Sequence, residues 1–332
     1  MEYLKFDVIK NGIFVPEGFV SKQDIVYDDN FEIVLDSCVL RGNNKSENVT
    51  NPPQHLPYEI TKDIESIDGR LLFMGQFVRE HYGHFLTEGV SRYWYLLDNP
   101  VKDWKIPTSK NPFGIKKRLK NIVNPSSSYW KKAMLTFNIN SNDILCVKKP
   151  IRADEIIVPQ CSMYNRYKIY QKHLDVTRRL ARNIIGTTKI KKDKTPVYLS
   201  RTKLNKSMRS YLGEEPIEEF CENMGCKIVY SERLSLKEQV ILFNKHDVFI
   251  GCVGSAFHSI LFRFVEMSAI NIYLTTESTN SNYEMIDSLM QNESHYISCI
   301  IPASDKIKTH LLDSQKAISE LDDILRDLKQ TR

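Results

Sequence analysis

The 332-residue sequence contains no run approaching the roughly eighteen apolar residues that a membrane-spanning helix requires. Its first residues, Met1-Glu2-Tyr3-Leu4-Lys5-Phe6-Asp7, lack the apolar core of a secretory leader. The expectation is a cytoplasmic chain, and the sequons Asn48-Val49-Thr50 and Asn292-Glu293-Ser294 are then chance matches. No CxxC pair occurs among the scattered Cys38, Cys146, Cys161, Cys221, Cys226, Cys252 and Cys299. That argues against both a zinc site and a disulfide framework and fits a reducing compartment. DxD and HExxH are missing, and no His/Cys cluster appears, so no metal is expected. Without GxSxG or GxGxxG, serine hydrolase and dinucleotide-binding readings lose their usual warrant. Strong charge is also missing. A net +5 can attract anionic ligands or a negatively charged membrane surface but falls short of a nucleic-acid footprint.

What remains is the composition of a globular protein, 42% hydrophobic and 26% charged, long enough for two domains. Strand-like runs at Gly12–Val15 and Glu32–Leu40 precede a polar loop, Gly42–Pro53. Leu71–Phe77 reads as a buried strand leading into a helix from about His81 to Leu97, with Leu86, Val90, Tyr93 and Leu97 as its apolar stripe. A Lys-, Pro- and Ser-rich excursion occupies 98–127, and its basic tract Lys102–Lys120 is expected to be a mobile solvated loop, with contact to an anionic acceptor or a lipid surface as the alternative. Strand alternation returns at Ile144–Val147 and Glu155–Val158, before a long helix at about Tyr167–Ile185. The expected division is an N-terminal α/β domain over 1–165, a linking helix and junction over 166–194, a C-terminal Rossmann-like domain over 195–305, and a last helix over 306–332 packing across the domains.

The C-terminal half alternates cleanly between strand and helix. Strands are expected at Val197–Leu199, Lys227–Tyr230, Val248–Ile250, Ile270–Leu274 and Tyr296–Ile301. Helices open at Pro216, at the capping box Ser235…Glu238, and near Tyr283. Such alternation predicts a parallel sheet with helices on both faces, whose ligands sit at the carboxyl ends of the strands.

Three groups of residues could do chemistry. In Gly251-Cys252-Val253-Gly254-Ser255-Ala256-Phe257-His258, a strand turns through glycines into a helix N-terminus. That arrangement cradles phosphate, or it is a tight strand–helix turn. Arg201 ends a strand and Arg209 follows in its loop; they either clamp a diphosphate or are solvated. Glu214, at the next helix start, either complements the helix dipole or accepts bonds from ribose hydroxyls. In the first half, His84 and Glu88 are i, i+4 neighbours pointing away from the Leu86 stripe, with Arg92 continuing the row. A histidine beside a carboxylate suits a general base, and it equally suits an exposed ion pair.

In order and spacing these blocks resemble glycosyltransferase family 61. The blocks are Tyr82-Gly83-His84-Phe85-Leu86-Thr87-Glu88 with Arg92; Tyr198-Leu199-Ser200-Arg201 with Arg209 and Glu214; and Leu234–Gln239 running into Gly251–His258. The chain departs from the family pattern at Val253, where His is common, and at His258-Ser259, where Thr-Asn is common. The resemblance implies a GT-B fold, two Rossmann-like domains facing across a cleft with the nucleotide-sugar mainly on the second, and inversion at the anomeric carbon. With no entry signal expected, the chain looks more like the bacterial cytoplasmic branch that builds capsule, lipopolysaccharide or exopolysaccharide than like the members of the secretory pathway.

The expected activity is an inverting, metal-independent transfer from a UDP-sugar to an oligosaccharide or lipid-linked glycan, in the cytoplasm or at the inner face of the membrane. His84 is the first choice of base and Glu88 the second. Arg201, Arg209, Glu214, Gly254, Ser255 and His258 are the expected donor residues. No cofactor is expected besides the donor substrate, and no nucleic acid partner. A ketal pyruvyltransferase using phosphoenolpyruvate, and a non-catalytic glycan-binding scaffold, are the alternatives.

Overall fold

The computed structural model describes residues 3–38, 40–43, 46–49, 52–75, 81–99, 102–110, 126–204, 210–265, 267–302 and 309–331. The chain is α/β and divides into two compact units, Met1–Asn183 and Ile184–Arg332.

The first unit is built on a seven-stranded mixed sheet. Its middle strand, Ile151–Pro159, is apolar at most positions and is covered on both sides, as a central strand must be. Glu65–Leu72 runs parallel to it, followed by Trp104–Thr108 and Ile144–Cys146, also parallel. Phe6–Lys10 and the hairpin strand Ile13–Val15 pair with it antiparallel. Phe14, Val26, Leu71, Phe73, Ile156 and Val158 form the core here.

Several sequence expectations need correction in this unit, among them the irregular excursion over 98–127, where Trp104–Thr108 is a strand of the sheet. The strand expected at Leu71–Phe77 begins earlier and ends at Leu72. Its first half is polar and half exposed, with an irregularity between Ile67 and Arg70, so apolar patterning missed it. Residues 76–80 of that expectation lie outside the described ones. Of the strand expected at Glu32–Leu40, residues 32–38 form isolated bridges and a short turn of helix at Leu35–Ser37, while Leu40 opens a separate strand, Leu40–Asn43, that pairs antiparallel with Ser46–Val49 where a polar loop was expected. The long helix starts at Gln171, because Met163–Tyr164 and Lys168–Ile169 form a small hairpin first.

In the second unit five parallel strands lie in the order Lys227–Tyr230, Val197–Ser200, Val248–Cys252, Ile270–Thr275, Glu293–Ser298. The helices form where the sequence signals stand. Pro216 sits in the first turn of Glu215–Asn223, and Ser235 and Glu238 form a reciprocal capping box ahead of Leu236–Lys245. The last helix, Ser314–Thr331, places Ala317, Leu321 and Leu325 in the same core as Ile217, Cys221, Ile250 and Ile272. A small sheet of Ser210–Leu212, Thr309–Leu312 and Ile300–Ile301 precedes it.

Candidate active-site residues

In chain order, the five strands of the second unit lie second, first, third, fourth, fifth. The winding therefore reverses between Val197–Ser200 and Val248–Cys252. At such a reversal the connections leave the sheet in opposite directions and open a crevice outside the carboxyl ends of the two strands. Arg201 comes directly after the first of these strands, and the Gly251–Gly254 turn ends the other.

The two segments are in contact. Gly251 has φ of 154°, and a Cβ there would stand 2.8 Å from the Leu199 carbonyl oxygen, so the strands approach as closely as they do only because the residue is glycine. Gly254 has extended backbone, and its missing side chain leaves room for the Arg201 guanidinium. That guanidinium lies 5.3 Å from the ring centroid of Tyr211, a cation–π distance. Tyr211 in turn stacks on His310 at 5.8 Å and donates its hydroxyl to the Val253 carbonyl at 3.3 Å. Sequence reasoning missed Tyr211; its signal was an aromatic residue in the arginine-bearing loop.

Behind Arg201 is Glu214, 1% exposed. Its Oε1 accepts the Arg201 backbone N–H at 2.9 Å and the Tyr198 hydroxyl at 3.3 Å. Oε2 has no hydrogen-bond partner among the described residues. Loss of hydration outweighs Arg201's charge and raises the carboxyl to about 7. A second carboxylate, Glu218, went unnoticed in the sequence. It accepts from Ser200 Oγ, Thr202 Oγ1 (2.7 Å) and the Tyr230 hydroxyl (2.8 Å). Burial alone would raise it, but these three hydroxyls hold it below its ordinary value.

Ser255 opens a helix, as expected, but a 3-10 helix, Ser255–Phe262. Its first N–H groups have no intrahelical partner, the property that suits a helix N-terminus to anions. His258 is nearly buried and stacks on Tyr283 at 5.5 Å, while the Tyr283 hydroxyl donates to the Gly254 carbonyl at 3.2 Å. Arg209 lies outside the described residues.

The first unit holds the other pair. The helix expected from His81 to Leu97 is broken: one α turn at Tyr82–His84, a π segment at Phe85–Gly89, and an α turn at Tyr95–Asp98. Within the π segment the Val90 N–H reaches back five residues to Phe85. His84 Nδ1 lies 3.1 Å from Glu88 Oε2, so the pair meets as expected. Glu88 Oε1 accepts from the Asn165 side-chain amide. The His84 side chain is 35% exposed and that of Glu88 10%. His81 is edge-on to His84 at 5.0 Å, and lost hydration together with His84's charge lowers its imidazole below the ordinary value.

Arg92 does not continue the row. The wide turn shifts the helical phase of every residue after it, and Arg92 is 2% exposed. It donates to the carbonyls of Pro159 (3.0 Å) and Asp36 and lies over the Phe73 ring. Among the described residues no cluster of three or more His, Cys, Asp or Glu is arranged to hold a metal ion. No helix among them is long and apolar enough to cross a membrane.

Among known proteins, the family model described as Glycosyltransferase 61 matches residues 82–270, more than half of the chain. That span includes both the His84–Glu88 pair and the Arg201–Gly254 contact. No curated protein matches.

Proposed function

Because the chain belongs to glycosyltransferase family 61 and is a glycosyltransferase, we propose that it moves a sugar, with inversion and without a metal, from a UDP-sugar to a glycan acceptor of a cell-surface polysaccharide. The observation that carries this reading is the Arg201 guanidinium seated on the Gly254 turn at the winding reversal of a parallel sheet. A diphosphate leaving group needs cationic, fork-shaped donors and oriented backbone N–H groups there, and that geometry supplies both. Arg201, Gly254 and Ser255 are the diphosphate residues of this reading. Arg209 belongs with them by its position in the sequence, Glu214 underlies Arg201, and His258 supports the turn through Tyr283.

In this reading the two units are the halves of a GT-B enzyme, with the acceptor on the first. Glu88 holds the proton of His84 on Nδ1, which leaves Nε2 to act as base. The acceptor O–H bond gives its proton to Nε2 as the oxygen attacks the anomeric carbon. The bond from that carbon to the UDP oxygen breaks on the opposite face, and its electron pair leaves with UDP. Arg201 and the N–H groups of the 3-10 helix stabilise that charge without reorganising. Direct proton abstraction by Glu88 is the second choice. The acceptor is an oligosaccharide or a lipid-linked glycan, handled in the cytoplasm or at the membrane's inner face.

A thermal-shift panel of UDP, GDP, CMP and phosphoenolpyruvate, each with and without EDTA, tests this. A ligand at 100 times its Kd adds about 2.7 kcal/mol to the folded state. Stabilisation by UDP that is indifferent to EDTA is expected. A response to GDP or CMP in its place overturns the uridine donor, and a response to phosphoenolpyruvate alone overturns the sugar donor. Dependence of the UDP response on EDTA overturns metal independence.

A further inference from the structure

The break in the helix at residues 85–89 leaves a backbone carbonyl in need of a donor. Val90 donates its N–H to Phe85, and Ser91 donates its N–H to Glu88. Neither of these donors takes the Leu86 carbonyl, and Leu86 is completely buried. A buried carbonyl without a donor is costly, so the π segment survives only if something else supplies one.

His173 supplies it. From the long helix Gln171–Ile185, its Nε2 lies 2.9 Å from the Leu86 carbonyl oxygen and its Nδ1 lies 2.8 Å from Ser162 Oγ. The carbonyl can only accept, so Nε2 carries the proton and Nδ1 accepts from the serine hydroxyl. The imidazole is fully buried, and the loss of hydration lowers it to about 4, so it remains neutral at ordinary pH.

Ser162 carries the connection further. Its backbone N–H donates to the Ser91 carbonyl at 2.8 Å, just beyond the π segment. Its own carbonyl accepts from Tyr170 N–H at 2.9 Å, which fixes the hairpin loop. Three residues on, Asn165 donates to Glu88 Oε1. One histidine therefore holds the π segment that carries Glu88 and, through Ser162, the loop whose Asn165 holds the Glu88 side chain.

We propose that His173 is a positioning residue: through the Leu86 carbonyl and Ser162 it fixes the π turn and so sets Glu88 against His84. The inference rests on the proposed role of the His84–Glu88 pair in transfer. It concerns a residue far in sequence from the block that carries the pair, brought beside it only by the fold. A displacement of Glu88 by about 1 Å loosens the tautomer of His84, and catalytic geometry is sensitive to displacements of that size.

The test reads the His84 ring directly. In the full chain labelled with 15N-histidine, the ring nitrogens report which of them carries the proton. The wild type is expected to show His84 with its proton on Nδ1, and Glu88→Ala, which leaves no acceptor there, to abolish that preference. His173→Phe, which removes both hydrogen bonds, is expected to give mixed tautomers at His84 and to slow UDP release from a panel of UDP-glucose, UDP-xylose and UDP-N-acetylglucosamine. The loss is expected to be about 10- to 100-fold in kcat, with KM for the donor unchanged.

His173→Gln, which can still donate to the Leu86 carbonyl, is expected to restore most of the His84 signature. Ser162→Ala, a small change that spares the fold, is expected to loosen it partially. A His84 ring with wild-type tautomer in both folded His173→Phe and Ser162→Ala overturns the positioning role alone. If Glu88→Ala leaves the His84 tautomer unchanged, the pair itself is not coupled, and both readings fall.

Discussion

The Arg201 guanidinium occupies the space that a side chain at Gly254 would need. A Cβ at Gly254 would stand 3.6 Å from Arg201 Cζ and would overlap Nη1. The backbone of Gly254 is extended, so alanine would be accommodated without strain and only the arginine would have to move. Gly254→Ala is therefore expected to act as a displacement of Arg201. It should weaken UDP binding about tenfold, and Arg201→Ala about 10- to 100-fold, the worth of one or two charge-assisted hydrogen bonds. The double variant should bind no more weakly than Arg201→Ala. Titration calorimetry with UDP reads all three; additive losses would mean that the two residues act separately.

Removing the proposed base should separate chemistry from donor binding. His84→Ala is expected to lower kcat by about 100-fold or more, the usual range for a lost general base, with UDP affinity unchanged. Glu88→Gln should fall between it and the wild type if Glu88 orients, and match it if Glu88 itself takes the proton. Steady-state kinetics on the UDP-sugar that the thermal-shift panel favours distinguishes these outcomes. Retained kcat in His84→Ala would remove the histidine from the reaction.

The carboxyl of Glu214 makes stability fall as pH rises. Its folded value is near 7 against an ordinary 4.5, so between these pH values the unfolded chain has released a proton that the folded chain still holds. Deprotonation thus favours unfolding, by up to about 3 kcal/mol above pH 7. Glu214→Gln cannot ionise and keeps an acceptor for the Arg201 N–H. Melting curves from pH 5 to pH 8 should show the variant gaining on the wild type with each step. Parallel curves would mean that Glu214 ionises freely in the folded protein.

His173 works in the opposite sense at lower pH. Its folded value near 4 lies below the ordinary 6.5, so the unfolded chain takes up a proton that the folded chain refuses. The folded state therefore loses up to about 3 kcal/mol as pH falls from 6.5 to 4, and this contribution is fully present above 6.5. In denaturant titrations over that interval, His173→Gln should show the shallower dependence on pH. An equal dependence in both proteins would place the acid sensitivity elsewhere.

The second unit was the more legible half of the sequence because its signals are local. Ser235 with Glu238, Pro216 at a helix start, and short Val/Ile runs ahead of glycines each act within a few residues, and the elements formed where those signals stood. The strand order that puts Arg201 beside Gly254 was not legible, because pairing between distant strands leaves no trace in spacing. In the first unit the i, i+4 relation of His84 and Glu88 predicted their contact, although the segment between them is not an α helix. Arg92 was misread for the same reason: extrapolating one helical phase through a π segment sends every later side chain to the wrong face. Glu218, Tyr211 and His173 are ordinary residues in sequence and acquire meaning only from partners 10 to 99 positions away.

The π segment also makes the length of Phe85–Gly89 a chemical variable. Removing one residue there would let the backbone from Tyr82 through the former π segment relax into α helix, a gain in regular hydrogen bonding. The same deletion would turn everything after it by about 100° relative to the turn before it. A side chain brought into the vacated position by such a shift would be the wrong residue, and the Leu86 carbonyl would bond within its own helix and release His173. Chains that differ here by a single residue would therefore share the fold and the Gly251–Gly254 turn while differing in whether a histidine and a carboxylate ever meet.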